Sequence, residues 1–405
     1  MKVAIIGAGV AGMFVALNLK NCDVTVYERN AKPGVKLNIT GKGRCNITND
    51  CSNEEFLANV VTNPRFMFSA INTFSPSDTI DFFAKNNLEL VTERGNRVFP
   101  KSKKASDVSA CLYGSCKRNK VKFVFNKVIK VAKSGEEFIV HCENSYEFYD
   151  KVVVCCGGAS YPETGSDGNG YEIAKTLSHS ITELRPALVP IETKQNVSIL
   201  AGLNLRNVKL SAICGKKTFT FFGEVEFFKK GLCGPTVLSL SSMLNKCDLS
   251  QVEISLDLKP ALDRTTLDKR ILREINDIKS KTVYDVIKTL LPLQMIDYYL
   301  SYCKVSPQIE TNSLTKVDRA SLINGLKDMK FTIKKLVGVD RGIVTCGGVS
   351  VKEINPKTMM SKLVDGLYFA GEIIDVDALT GGYNIQIALS TAYAVASAIN
   401  NERRN

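Results

Sequence analysis

Apolar and polar positions alternate in blocks along the chain, and the period of each block predicts its element. Residues 3–6 are one continuous apolar run, the pattern of a short strand buried on both faces, and 13–19 read as a helix. Residues 24–27 form a second strand that ends at Glu28. From about 54 to 90 apolar side chains recur at turn spacing (Phe66, Ala70, Phe74, then Ile80, Phe83, Ala84), which predicts helix. Residues 121–131 and 137–142 read as strands of a small meander. Residues 152–155 read as a short apolar strand running into Gly157 and Gly158, and 171–177 as the opening of a helix.

The pattern then shortens. Between about 186 and 258 it alternates, as in Phe219-Thr-Phe221, Val225-Glu-Phe227 and Ile254-Ser-Leu256, which predicts short strands. Between about 260 and 330 it turns helical. Leu267, Ile271, Ile275 and Ile278 make one stripe, Val283, Val286, Ile287 and Leu290 another, and Pro292 breaks or kinks the helix at that point. Residues 367–370 read as a strand, 384–398 as a long apolar helix, and 401–405 as a frayed tail. The expected fold class is α/β. A domain in two parts, 1–185 and 336–405, is interrupted by a β-rich insertion, 186–258, and a helical one, 259–335.

The glycines carry the first chemical signal. Gly7, Gly9 and Gly12 lie between the first strand and its helix, and Glu28 closes the second strand. In such a unit the first glycine permits the tight turn and the second lets the backbone approach a diphosphate. The third lets the helix pack on the sheet, and the acid takes ribose hydroxyls. An acid there favours a free 2′-OH, hence FAD or NAD rather than NADP at this position. The same glycines, with no small-residue cleavage site after them, argue against a secretion leader over 3–19. The expected compartment is cytoplasmic.

Other segments have the makings of a nucleotide pocket. Asp365-Gly-Leu-Tyr-Phe-Ala-Gly371-Glu372 reads as a strand ending at an acid. It resembles the second flavin-contacting segment of two-dinucleotide-fold flavoproteins, and that resemblance implies a ribityl-binding role for Glu372 or Asp375. Thr380-Gly381-Gly382-Tyr383-Asn384-Ile385 leads into an apolar helix whose free N–H groups favour negative charge, unless Asn384 serves only as a cap. Gly41-Lys42-Gly43-Arg44-Cys45-Asn46, preceded by Lys36, sets glycines beside cations, as an anion-binding loop does. The loop from Gly157 and Gly158 to Tyr171 suits a pocket wall. The stretch 97–104, with Arg97 and Lys104, is either a substrate-anion site or a solvated face.

Composition narrows the chemistry. Lys and Arg number 53 against 41 Asp and Glu, a net +12 that suits anionic partners without choosing among them. The two histidines, His141 and His179, are far apart in sequence, so neither a His-rich metal site nor a Ser-His-Asp triad is expected. No catalytic side chain is assigned. The 13 cysteines contain no C-x-x-C pair and read as reduced thiols, mostly core filler.

In order and combination these motifs resemble the bacterial FAD-dependent oxidoreductase family that includes aminoacetone oxidase and a bile-acid-inducible flavoprotein reductase. The resemblance rests on residues 5–12, 41–46, 97–107, 157–162, 345–349 and 367–386. It implies a noncovalent FAD in a two-part Rossmann-like domain, with a β-barrel-like and a helical insertion covering the isoalloxazine. Carried over by motif, the nucleotide-binding residues are Ala11, Glu28, Arg29, Lys36, Gly41, Asn46, Val128, Gly158, Gly371, Glu372 and Asn384. Val128 acts through its backbone. Ala378 stands where the family often has glycine.

The expected function is flavin-dependent reduction of a small conjugated or carbonyl substrate, with NADH or NADPH docking transiently as donor. An amine oxidase using oxygen and a tRNA-modifying flavoprotein are alternatives. Dispersed basic residues and no recognisable RNA-binding module argue against a nucleic-acid partner. A flavin redox sensor is the non-enzymatic alternative, with Cys45 beside Arg44 as its reporting thiol.

Overall fold

The computed structural model describes residues 1–277 and 282–402. Ile278 of the predicted stripe and residues 403–405 of the predicted tail lie outside them. The chain divides into two compact units, Met1–Ala187 with Gly338–Asn405, and Leu188–Val337.

The first unit is built on five parallel strands. β1 (Lys2–Ile6) lies between β2 (Asp23–Tyr27) and β10 (Lys151–Val154). β6 (Lys122–Val124) adds beyond β2, and β19 (Leu367–Phe369) beyond β10. Val3, Ala4, Ile5 and Val152 to Val154 are fully buried, which is why these strands read as unbroken apolar runs. Helix Val10–Asn18 follows β1 and packs against helix Tyr383–Asn401, near the other end of the chain. Phe14 of the first helix sits against Phe74 and Phe82, so the 54–85 segment shares that core.

That segment is helical, as the spacing predicts, but divided. Helices Asn53–Ala58 and Pro76–Lys85 each start at a serine, Ser52 and Ser75, with a reciprocal capping box. The predicted strand over 121–131 also divides, because Asn126 turns back onto the Val124 carbonyl. Its first half is β6. Its second half opens an antiparallel meander of β7 (Val128–Ser134), β8 (Glu137–Cys142) and β9 (Ser145–Tyr149). A second antiparallel sheet runs β3 (Thr48–Asn49), β5 (Arg97–Pro100), β4 (Leu90–Glu93). β11 (Arg185–Ala187) pairs with β18 (Val344–Cys346).

The second unit is a closed six-stranded barrel with helices. Its order is β12 (Ile191–Thr193), β15 (Gly231–Cys233), β14 (Lys217–Phe228), β13 (Asn204–Cys214), β16 (Glu253–Asp257), β17 (Met329–Leu336), and β17 closes on β12. β17 comes after the helices in sequence, so strands and helices share one core. Leu210, Val225, Leu256 and Phe331 meet the stripe residues Leu267, Ile271, Val286 and Ile287 in a single buried cluster. Pro292 does break its helix: it caps Leu293–Cys303 after Val283–Lys288 has ended.

One cysteine expectation is corrected. Cys214, at the tip of the β13–β14 hairpin, and Cys247, just past helix Pro235–Leu244, are joined in a disulfide with a Cα–Cα distance of 6.4 Å. Sequence spacing hides this pair, because the hairpin and the helix bring together residues 33 apart. The other eleven cysteines form no disulfide, and six of them are buried.

Candidate functional site

The carboxyl ends of β1, β2, β10 and β19 all carry residues singled out from the sequence: Gly7 after β1, Glu28 after β2, Gly158 after β10 and Gly371 after β19. Ligands of open parallel sheets bind at this end.

The glycine turn divides its tasks by space. Gly7 has φ +108°, donates its N–H to the Tyr27 carbonyl at 2.8 Å, and leaves no room for a side chain beside Cys155 O. A Cβ on Gly12 would lie 1.9 Å from the Gly7 carbonyl oxygen. Gly9 differs: nothing lies within 4 Å of where its Cβ would be. Gly9 caps helix Val10–Asn18 without a side-chain partner, so first-turn N–H groups face that open space. Glu28 is 8 % exposed. Its Oε2 accepts from Ala8 N at 2.9 Å and its Oε1 from Asn30 N and Nδ2 at 2.8 Å. A carboxylate has about four acceptor positions, so capacity for ribose hydroxyls remains. Asn30 also donates to Thr164 O, and Arg29 pairs with Asp167, tying this corner to the 157–168 loop. Asn169 then donates to the Val128 carbonyl at 3.0 Å.

The second group joins four separate segments. Lys36 Nζ meets Glu372 Oε2 at 2.7 Å and donates to Ser160 Oγ at 2.7 Å. Glu372 Oε1 accepts from Ser160 Oγ and from Thr345 N, both at 3.0 Å. Gly158 is hemmed in here, since a Cβ would stand 2.5 Å from Thr345 Oγ1. Gly371 has φ +79° and its Cβ position is 3.0 Å from that of Ala11, so the two flavin-type motifs touch directly. Thr345 and the buried Tyr171 belong to this group and were not among the predicted site residues. Burial first, then the charges of Glu372 and Asp375, push the Tyr171 hydroxyl well above its ordinary pKa. The only sequence signal for Thr345 was its place in the 345–349 motif.

The third group surrounds the start of helix Tyr383–Asn401. Gly382 has φ +100° and packs on Thr48, with a Cβ position 2.4 Å from the Thr48 carbonyl. Gly382 caps the helix without a side-chain bond, leaving N–H groups of the first turn, Tyr383 to Ile385, free of a cap. Asn384 is therefore not the cap. Its amide bonds Ala378 N (2.9 Å) and Ala378 O (2.8 Å), fastening the preceding turn. Ala378 does not adopt a positive φ, so its methyl group is accommodated without strain. Asp375 is held from outside this group, its carbonyl accepting from Asn63 Nδ2 at 2.7 Å. Gly41 lies against Asn46, whose buried Oδ1 has no hydrogen-bond partner.

Beneath the helix start lies a fully buried amide, Gln386. Its Oε1 accepts from Thr48 Oγ1 (2.6 Å) and Thr79 Oγ1 (2.7 Å), and its Nε2 donates to Ser390 Oγ and Phe74 O. Gln386→Leu strips two buried hydroxyls of their acceptor. We expect unfolding free energy to fall by roughly 2–4 kcal/mol in urea titrations; a loss within error would mean the network is dispensable.

Cys45 fails as a redox reporter. It is 0 % exposed and burial pushes its thiol up to about 12. A reactive cysteine needs the reverse of both.

The residues fit FAD on the structure's own terms: open space at Gly9, an acid after β2, an orphaned Asn46 carbonyl and a bare helix start. Similarity to known proteins accompanies that fit. The HI0933-like protein Rossmann domain matches residues 1–398. A 3-dehydro-bile acid delta(4,6)-reductase of Clostridium scindens is 27% identical over 405 residues, covering 98% of each chain. A ribosomal RNA dihydrouridine synthase of Haemophilus influenzae is 30% identical over 413 residues, again 98% of each. Among solved structures, 3-ketosteroid delta1-dehydrogenase from Sterolibacterium denitrificans aligns over 99% of both chains, with TM-score 0.54 and 12% identity. At that identity it speaks for the fold alone. No helix among the described residues is long and apolar enough to cross a membrane. The chain belongs to the HI0933-like Rossmann-domain family and is an FAD-dependent oxidoreductase.

Proposed function

We propose that the protein reduces a carbon–carbon double bond conjugated to a carbonyl, with NADH or NADPH as the electron source. The observation that carries this is chemical. A 3-dehydro delta(4,6) steroid and a uridine base are unlike in size, yet each presents an alkene polarised by a carbonyl. The names of both relatives describe saturation of such a bond. Amine oxidation has no such support.

Bound FAD supplies the hydride. The chain supplies the rest. N–H groups beyond Gly9 hold the diphosphate, Glu28 takes the adenosine ribose, and Arg29 and the Val128 backbone flank it. Lys36, Gly158, Gly371, Glu372 and Asp375 line the ribityl path. The bare N–H groups of Tyr383, Asn384 and Ile385, with Gly41, Asn46 and Gly382, would hold the flavin ring. A helix start without a side-chain cap would favour negative charge on the group it holds.

A second reading takes RNA as substrate. Residues 188–337 contain 23 Lys and Arg against 15 Asp and Glu, so two thirds of the chain's surplus sits in the inserted unit. Together with the RNA-modifying relative, this tempers the expectation that no nucleic acid is bound.

The test is anaerobic mixing with NADH, NADPH and aminoacetone in parallel, followed near 450 nm. Bleaching by a nicotinamide, reversed by an enone or by uridine in RNA, is expected. Bleaching by the amine alone would reverse the assignment.

A further inference from the structure

The cationic stretch 97–104 is not used by the flavin site. It folds into β5 and the turn after it, beside the 41–46 loop. Residues 41–46 and 89–104 together carry seven Lys and Arg and two Glu. Both acids are spoken for: Glu89 pairs with Lys101 at 2.6 Å, and Glu93 pairs with Arg44 and, at 3.7 Å, with Lys103. Among the described residues no carboxylate lies within 4 Å of Arg97 or Lys104.

The cations are held, not loose. The Arg44 guanidinium lies 4.2 Å over the ring of Phe99, and Arg97 reaches the same ring at 5.9 Å. Phe99 is 4 % exposed, and the Arg44 Nε is buried without a hydrogen-bond partner. Arg97 Nε is fixed on Arg94 O at 3.0 Å. Two guanidinium groups fixed on one ring repel each other, and a bound anion relieves that repulsion. A covered ring offers no face for a stacked base, so charge rather than stacking does the recognising.

The sheet is also stitched to the helix start described above. Arg97 pairs with Asn49 across β3–β5, and Asn49 Nδ2 donates to Gly381 O at 3.1 Å.

We propose that Arg44, Arg97, Lys103 and Lys104 form a second anion site that takes a phosphate ester of the flavin's reaction partner. Two sources share that chemistry: the diphosphate of the dinucleotide donor and the phosphodiester of an RNA strand. The placement beside the flavin rests on the proposed function; the anion site itself does not.

The test uses FAD-loaded protein and the double variant Arg97→Gln/Lys104→Gln, which removes neither the Arg44–Phe99 stack nor the Glu93 pairs. Lys352→Gln/Lys357→Gln, which removes two exposed lysines in and just after the turn Val351–Glu353, is a charge-matched control. Calorimetric titration with NADP⁺ and with a short uridine-rich RNA reads binding without turnover. Loss of two charged hydrogen-bond donors is expected to raise one Kd about tenfold, with a shallower salt slope. A rise for NADP⁺ identifies the donor as source, and a rise for RNA identifies the strand. Equal binding by variant, control and parent overturns the site, as does a parent that binds neither probe. A parent that binds NADP⁺ but is bleached by neither NADPH nor NADH refutes the proposed function and leaves the site standing.

Discussion

A Gly9→Val chain is expected to fold normally and to elute colourless. Gly9 has φ −77° and ψ −170°, an extended conformation open to any residue. Nothing in the folded chain lies within 4 Å of the new Cβ. Thermal midpoint and circular dichroism should therefore match the parent. In the proposed placement the open space is where the backbone approaches the diphosphate. An isopropyl group there blocks that approach and covers the helix N–H groups behind it. We expect retained FAD, read from the 450 to 280 nm absorbance ratio, to drop at least about tenfold. A yellow, folded Gly9→Val protein would refute this placement of the cofactor.

Three residues on, the same kind of change should do the opposite. A Cβ on Gly12 would sit 1.9 Å from the Gly7 carbonyl oxygen and 3.2 Å from the Ile5 side chain. The first contact is with backbone, which cannot swing aside without moving β1 or the helix. Ile5 is fully buried in the central strand, so a shift there spreads through the core. Gly12→Ala is expected to cost about 3 kcal/mol or more, the upper range for overpacking, and to leave little soluble protein. A denaturation midpoint equal to the parent's would mean the turn relaxes in some way the packing does not suggest. The pair separates a glycine kept for the ligand from one kept for the fold.

Much of this architecture was legible because it is local. The strand, turn, helix and acid of residues 2–28 follow from burial on both faces of β1 and from three glycines at fixed spacing. Pro292 marked a helix end because its ring and missing N–H forbid continuation. What depended on tertiary contact was hidden. The split between β6 and β7 turns on one hydrogen bond at Asn126. β17 reads as an ordinary amphipathic strand, and nothing local says that it closes a barrel begun 136 residues earlier at β12. The Cys214–Cys247 pair was hidden for the same reason. In the candidate site, Glu28 and Glu372 were visible as acids after strands. Thr345 was not, because its part is to offer a backbone N–H to Glu372. Asn384 looked like a cap because it stands where the helix begins; the structure spends its amide on Ala378 instead.

The closure of β17 on β12 also decides how the inserted unit is attached. Val337 N donates to Pro190 O at 3.2 Å, so the unit's entrance and exit are neighbours. A segment whose two ends meet behaves as a cassette. Excising residues 188–337 leaves a gap that a few glycines can bridge, and joining so short a span costs little closure entropy. Exchange of whole cassettes between related chains is thus open to this scaffold, with residues 1–187 and 338–405 kept constant.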